Sequence, residues 1–261
     1  MWNASTSLAV QTHELVKQFG NFIAVDHLNL HVSRGSFFGF LGPNGAGKST
    51  TIKMLTGLLA PTSGTLHVLG LDISTQAMEV KRLIGVVPED LNLFERLTGA
   101  EMLSFTGRMY GLGKEEIVQR SKELLDLMEL QDEPRKLIVE YSHGMKKKLS
   151  LACALIHRPE ILFLDEPFES IDPAAVAMLK DWLRQYVARG HTVFMTSHVL
   201  ETVERLCDDV AIINSGRLAW RGEVGHLASG GRVAYDGYEF TTLEGLFLHL
   251  VGERGGQLAW L

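Results

Sequence analysis

The chain has 261 residues, 46% of them hydrophobic, with 31 acidic against 25 basic side chains and a formal net charge of −6. That length and apolar content suit one large α/β unit with a substantial core, and the acidic balance argues against wholesale nucleic-acid binding, which shows as a basic face or a high pI. The two cysteines, Cys153 and Cys207, have neither metal nor disulfide spacing, and no apolar run is long enough for a membrane helix, so a soluble chain in a reducing, cytosolic compartment is expected.

The opening MWNASTSLAV lacks the basic start and long apolar core of a signal peptide. Residues 8–40 carry short alternating segments, LAVQTHELVKQF and HLNLHV, broken at Gly20 and at a Ser-Arg-Gly turn. They predict antiparallel strands and hairpins. FFGFL (37–41) is a continuous apolar run, the pattern of a strand buried on both faces. A Gly-rich loop follows, then a helical period through STTIKMLTGLL; GTLHVLG (64–70) and IGVVP (84–88) read as two more strands.

From Leu97 the texture changes. TGAE (98–101) is a capping-box pattern, Gly111 and Gly113 break the helix it opens, and KEEIVQRSKELLDLMEL is strongly amphipathic. With no strand signal in between, 97–155 reads as a helical insertion in an α/β core. The core resumes with strand ILFLD (161–165), a helix over 173–189 opened by Asp172-Pro173 and closed by Gly190, and strand HTVFMTS. A short helix (199–206) and strand DVAIIN follow. The Gly-rich stretch 230–237 reads as a loop and 242–252 as a last amphipathic helix. Met54, Met178, Met195 and Trp182 read as core packing.

Two segments carry chemistry on their own. GPNGAGKST (42–50) fits G-x-x-x-x-G-K-[ST] between a buried strand and a helix. Gly42, Asn44, Gly45, Ala46, Gly47 and Thr50 belong to this loop, whose backbone N–H groups at 45–49 can wrap phosphate oxygens at a positive helix end. Lys48 suits the β- and γ-phosphates, and the Ser49 hydroxyl suits Mg²⁺. ILFLDEP (161–167) delivers two carboxylates to a strand end: Asp165 suits Mg²⁺, and Glu166 suits a base that orients and deprotonates water. His198, ending another strand, reads as a donor to the γ-phosphate. YSHGMKKKLS (141–150) poses a question, because Lys146, Lys147 and Lys148 crowd the first turn of a helix whose dipole is already positive there. Each such charge costs about 0.3–1 kcal/mol at an exposed site.

The P-loop, YSHGM, LDEP, the SID before Pro173 and the SH at 197–198 stand in the order and spacing of an ABC-transporter ATPase subunit. The chain resembles that family over residues 8–225, most closely the ATPases of multidrug, sodium and polysaccharide exporters. The resemblance implies a P-loop NTPase core of ABC type, with an antiparallel β subdomain and an inserted α-helical subdomain at about 97–155; 226–261 is left as a short C-terminal extension with a terminal helix. It implies ATP and Mg²⁺ as ligands and head-to-tail pairing with a second ATPase subunit, a copy or a relative. It further implies a separate integral membrane permease, a place on the cytoplasmic side of the membrane, and no nucleic-acid partner. YSHGM aligns with the family signature usually written LSGGQ, so Ser142 and Gly144 are expected to reach the partner's γ-phosphate, the anion that would make the lysines tolerable; solvation of those lysines on an exposed face is the plainer alternative.

Phe19 matches the aromatic that stacks on adenine, and Asp172 the loop that couples the two sites. Four positions depart from the family, His143 among them: Glu89, where Gln is usual and which is expected to reach Mg²⁺ or the lytic water; Glu169, where a small residue is more common; and Met145, where Gln is usual. His143 replaces a small residue and reads as a spacer or weak phosphate contact. A non-transport ABC-type ATPase acting on nucleic acid or ribosomes, and a regulatory nucleotide-binding module without turnover, stay open as alternatives.

Overall fold

The computed structural model describes residues 8–252 apart from 133, 170, 225, 226, 228 and 229. FFGFL becomes β3 (Phe37–Leu41), every residue of it buried. Its alternation splits the core in two. Phe37 and Leu41 face a cluster shared with the helical region, while Phe38 and Phe40 face a second cluster under the antiparallel sheet. On that second face Phe38, Phe40 and Phe163 each pack against Phe194, with ring centroids 5.4–5.5 Å apart.

β3 sits inside a six-stranded sheet with β6 (Ile84–Val87), β7 (Ile161–Asp165), β8 (Thr192–Thr196), β9 (Asp209–Asn214) and β10 (Arg217–Glu223). The order is β10-β9-β3-β8-β7-β6, parallel except for the β10 edge. Parallel strands buried on both faces read as unbroken apolar runs, which is why ILFLD and TVFMT could be recognised. β1 (Leu8–Phe19), β2 (Phe22–Ser33), β4 (Ser63–Val68) and β5 (Leu71–Asp72) form an antiparallel sheet in the order β2-β1-β4-β5.

The helical region comprises α3 (Gly99–Met109), α4 (Lys114–Leu127) and α5 (His143–Leu155). The capping box closes as expected: Thr98 Oγ1 accepts from the Glu101 N–H at 3.3 Å, and the Glu101 carboxylate accepts from the Thr98 N–H at 2.8 Å. The region is pinched at its base, where Thr98 bridges Leu137, the Ile138 N–H donates to Leu97 O at 2.8 Å and the Val139 N–H to Glu95 O at 2.9 Å. Elsewhere α6 (Pro173–Ala188) and α7 (Leu200–Leu206) connect strands of the parallel sheet, and α1 (Lys48–Leu55) leads from β3 to β4 of the antiparallel one. A short α2 (Ala77–Leu83), with Val80 its one buried residue, carried too little pattern to be assigned from sequence.

One expectation fails. Residues 233–235 are not loop but strand β11 (Val233–Tyr235), paired antiparallel with β12 (Tyr238–Phe240) ahead of α8 (Leu243–Val251). The turn between them is Asp236-Gly237, both at positive φ (50° and 78°), the two-residue turn that favours an Asp-Gly pair. Among the described residues no helix is long and apolar enough to cross a membrane.

Candidate functional site

The carboxyl ends of the parallel strands gather the loops of interest at one edge of the sheet, where open α/β folds place their ligands. β3 runs into the Gly-rich loop, β6 into Pro88-Glu89, β7 into Asp165-Glu166 and β8 into Ser197-His198. A cleft of about 420 Å³ opens there, bounded by Asn44, Gly45, Gly47, Lys48, Ser49 and Thr50 on one side and by Glu89, Asp165 and Glu166 on the other.

The loop is wedged so tightly that two glycines are compulsory. A Cβ at Gly42 would lie 2.4 Å from the Ile213 carbonyl oxygen, and one at Gly47 2.4 Å from that of Ala24, where φ is also +105°. Ala46 is buried behind the loop and its N–H donates back to Pro43 O at 3.1 Å. α1 begins at Lys48 with no side-chain cap and no acid in its first turn, which leaves its leading N–H groups and its dipole aimed at the cleft. The Lys48 ammonium folds back on the loop, donating to Gly42 O at 2.7 Å and Pro43 O at 3.1 Å. Burial lowers its pKa, opposed by the carboxylates of Glu166, Asp165 and Glu89.

The acidic side is held by Thr196, a residue that sequence reasoning passed over. Its hydroxyl donates to Asp165 Oδ1 at 2.5 Å and accepts from the Glu166 N–H at 3.1 Å, fixing both acids to the neighbouring strand. Asp165 is buried. Glu166 adopts a left-handed backbone, φ 48°, a conformation that costs a non-glycine residue about 1–3 kcal/mol and tends to occur at functional sites. Its carboxylate lies 3.0 Å from His198 Nδ1 and also accepts from the His198 N–H at 3.3 Å. Burial raises the Glu166 pKa, offset in part by His198 and Lys48, which is the direction a general base needs. Ser49, Asp165 and Glu89 present hydroxyl and carboxylate oxygens to one cleft, a donor set that fits Mg²⁺. That ion is held by one or two carboxylates plus substrate phosphates rather than by a closed protein cage.

The remaining candidates lie elsewhere. Phe19 is not on the cleft wall; Phe22, its partner in the β1–β2 register, is, together with Ala24. Phe19 is half-exposed with the Lys17 ammonium 5.0 Å from its ring centroid. Ser142 caps α5, accepting from the Met145 N–H at 3.2 Å, and Asp172 caps α6, accepting from the Ala175 N–H at 2.9 Å. That N–H holds the Asp172 carboxyl below its usual range. Ser142, Gly144 and Asp172 all lie off the cleft of their own chain.

The lysine-rich turn is not a solvated face. Lys146 pairs with Glu95 at 2.7 Å and Lys148 with Glu129 at 2.9 Å, while Lys147 is 2% exposed. Lys146 and Lys148 thus find counter-charges within this chain.

A family model described as "ABC transporter" matches residues 25–169. The bacitracin transport ATP-binding protein BcrA of Bacillus licheniformis is 39% identical over 81% of this chain and 69% of its own length. The daunorubicin/doxorubicin resistance ATP-binding protein DrrA of Streptomyces peucetius is also 39% identical, over 87% of this chain and 69% of its own. A solved ATP-binding subunit of an ABC transporter superposes with a TM-score of 0.82 at 30% identity, covering 93% of this chain and 99% of that one. A dimeric ATP-binding cassette bound to ADP and Pi shares the fold, with a TM-score of 0.77 at 22% identity over 82% of this chain and 98% of that one.

Proposed function

The chain belongs to the ABC transporter ATP-binding family, and from that premise we propose how its residues perform the work. Subunits of this family bind and hydrolyse ATP to drive transport, acting as dimers with a membrane permease. The triphosphate lies on the 42–50 loop, its charge met by the leading N–H groups of α1 and by Lys48, which exchanges its own loop carbonyls for phosphate oxygens. Ser49, Asp165 and Glu89 would hold Mg²⁺, which when bound would supply charge neutralisation to the triphosphate. Phe22, on the cleft wall at the β1–β2 hairpin, flanks the adenine, and Phe19 stands beyond it at the rim.

Glu166 accepts a proton from water as the water oxygen bonds to the γ-phosphorus. The bond from that phosphorus to the β–γ bridging oxygen breaks, and ADP and phosphate leave. His198, 3.0 Å from Glu166, orients the carboxylate and donates to the transferred phosphoryl group. Two copies, or this chain and a related subunit, close head to tail, so that Ser142 and Gly144 of one approach the ATP held by the other. Asp172 stands at the seam between the two sites. Closure drives a permease on another chain, and we infer export as the direction of transport, with this subunit placed on the cytoplasmic face of the membrane.

The observation that carries this reading is the opposition across one cleft of an uncapped helix start with Lys48 and a half-buried, base-poised Glu166. Replacing Glu166 by Gln should lower steady-state ATP hydrolysis by about 10²–10⁴-fold while leaving nucleotide binding intact. Turnover equal to wild type would refute the assignment of the base.

A further inference from the structure

Thr196 ends β8, is wholly buried and does not line the cleft. It stands opposite Asp165, the last pair in the β7–β8 register. Paired residues of neighbouring strands share a face and lie about 4.8 Å apart, so hydroxyl and carboxylate meet. A hydroxyl has one proton to give and two lone pairs to offer. Thr196 gives the proton to Asp165 Oδ1 at 2.5 Å and accepts the Glu166 N–H at 3.1 Å. The ladder stops at this pair. The hydroxyl thus takes up the next N–H at the point where the backbone turns left-handed, with Glu166 at φ 48°.

The result is a division of oxygens in both acids. Asp165 has Oδ1 committed to the fold, while Oδ2 accepts no hydrogen bond among the described residues and the side chain lines the cleft. Glu166 is divided the same way, with Oε2 held by His198 and Oε1 left over. The terminal torsion of a carboxylate side chain is broad and nearly two-fold when nothing restrains it. An anchor on one oxygen removes that freedom and gives the other a single direction. We propose that Thr196 is a positioning residue for the metal: by holding Oδ1 it turns Asp165 Oδ2 into the cleft as a ligand for a divalent cation. The same hydroxyl fixes the turn that carries the base, so metal ligand and base are set by one buried group. Nucleotide binding by the 42–50 loop and Lys48 does not depend on it. This rests on the reading of the cleft as the ATP site and of Asp165 as a metal ligand.

The test uses the full chain, a non-hydrolysable imido analogue of ATP, and Mn²⁺ in place of Mg²⁺, so that electron paramagnetic resonance reports bound metal with the protein in excess. Thr196→Val keeps the branched shape and removes the hydroxyl. It should need about tenfold more Mn²⁺ for half-saturation and lose about tenfold or more in kcat, the effect usual for a lost outer-shell partner. Its affinity for the analogue in EDTA, read by titration calorimetry, should match that of wild type. Thr196→Ser, which keeps the donor, should restore metal binding and turnover together. Unchanged Mn²⁺ half-saturation in a folded Thr196→Val overturns the proposal. An equal loss in EDTA and in Mn²⁺ also overturns it, because that pattern reports a general distortion of the cleft. Should Thr196→Val fail to fold, Thr196→Cys decides: its thiol is only a weak donor, so Mn²⁺ half-saturation should still rise, and an unchanged value overturns the idea. Asp165→Asn separates the two levels. Undiminished Mn²⁺ binding there would sink the assignment of Asp165 as a ligand, whereas its loss beside an indifferent Thr196→Val sinks only this inference.

Discussion

Helices α1 and α5 both begin with lysine at or near a positive dipole end, yet they handle it in opposite ways. α1 has no side-chain cap, no acid in its first turn, and a lysine whose ammonium holds only its own loop carbonyls. α5 is capped by Ser142, and two of the three lysines behind it, Lys146 and Lys148, are paired with acids of the same chain. A cationic helix start is therefore not by itself a sign of an anion. The useful distinction is whether the donors already have partners. At α1 no side chain caps the leading N–H groups, Lys48 holds only neutral carbonyls of its own loop, and the cleft lies in front of them; at α5 Lys146 and Lys148 are paired within the chain, and Ser142 and His143 are exposed at the tip.

Four substitutions would break or sharpen that contrast. The largest effect is expected from Gly47→Ala. Its Cβ would meet the Ala24 carbonyl at 2.4 Å with φ at +105°. The left-handed conformation alone costs about 1–3 kcal/mol, so both thermal stability and ATP affinity should fall, read by calorimetric unfolding and titration. Next is Gly144→Asp at the tip of α5. It should abolish the ATP-dependent dimer of a Glu166→Gln background in light scattering while leaving single-chain ATP affinity unchanged. If affinity fell as well, the α5 tip would belong to the chain's own site and the contrast would collapse. Glu89→Gln should keep nucleotide binding and move the Mg²⁺ concentration needed for half-maximal hydrolysis; superimposable Mg²⁺ titrations would remove Glu89 from the metal's surroundings. The smallest is Thr98→Ala, which removes the α3 capping box. It should lower unfolding stability by about 1 kcal/mol with no change in ATP affinity.

Much of this was legible in the sequence because the strands are buried on both faces and announce themselves as apolar runs. FFGFL, ILFLD and the TVFMT core of the next strand come within a residue of their observed limits. The Thr98 and Asp172 caps were equally plain, since capping depends on residues three apart. What was hidden depended on packing between distant segments. Nothing local marks Thr196 as the residue that anchors Asp165 and Glu166, or Phe22 rather than Phe19 as the wall of the cleft. The β11–β12 hairpin was missed for a different reason: its Asp236-Gly237 signal was present but read only as glycine-rich loop.

The pinch at Thr98–Leu137 has a consequence for how this chain can vary. It brings the two ends of the α3–α4 excursion together with backbone hydrogen bonds, so the stretch between them is a closed loop, and a longer turn at its far end leaves the positions of those two ends unchanged. The turn at Gly111–Gly113 lies in that loop, with open space around both glycines. Doubling the length of a closed flexible loop costs only about 0.6 kcal/mol. Residues can be inserted at that turn, and the outer shape of the protein altered to suit a different neighbour, without disturbing the spacing of any group around the cleft.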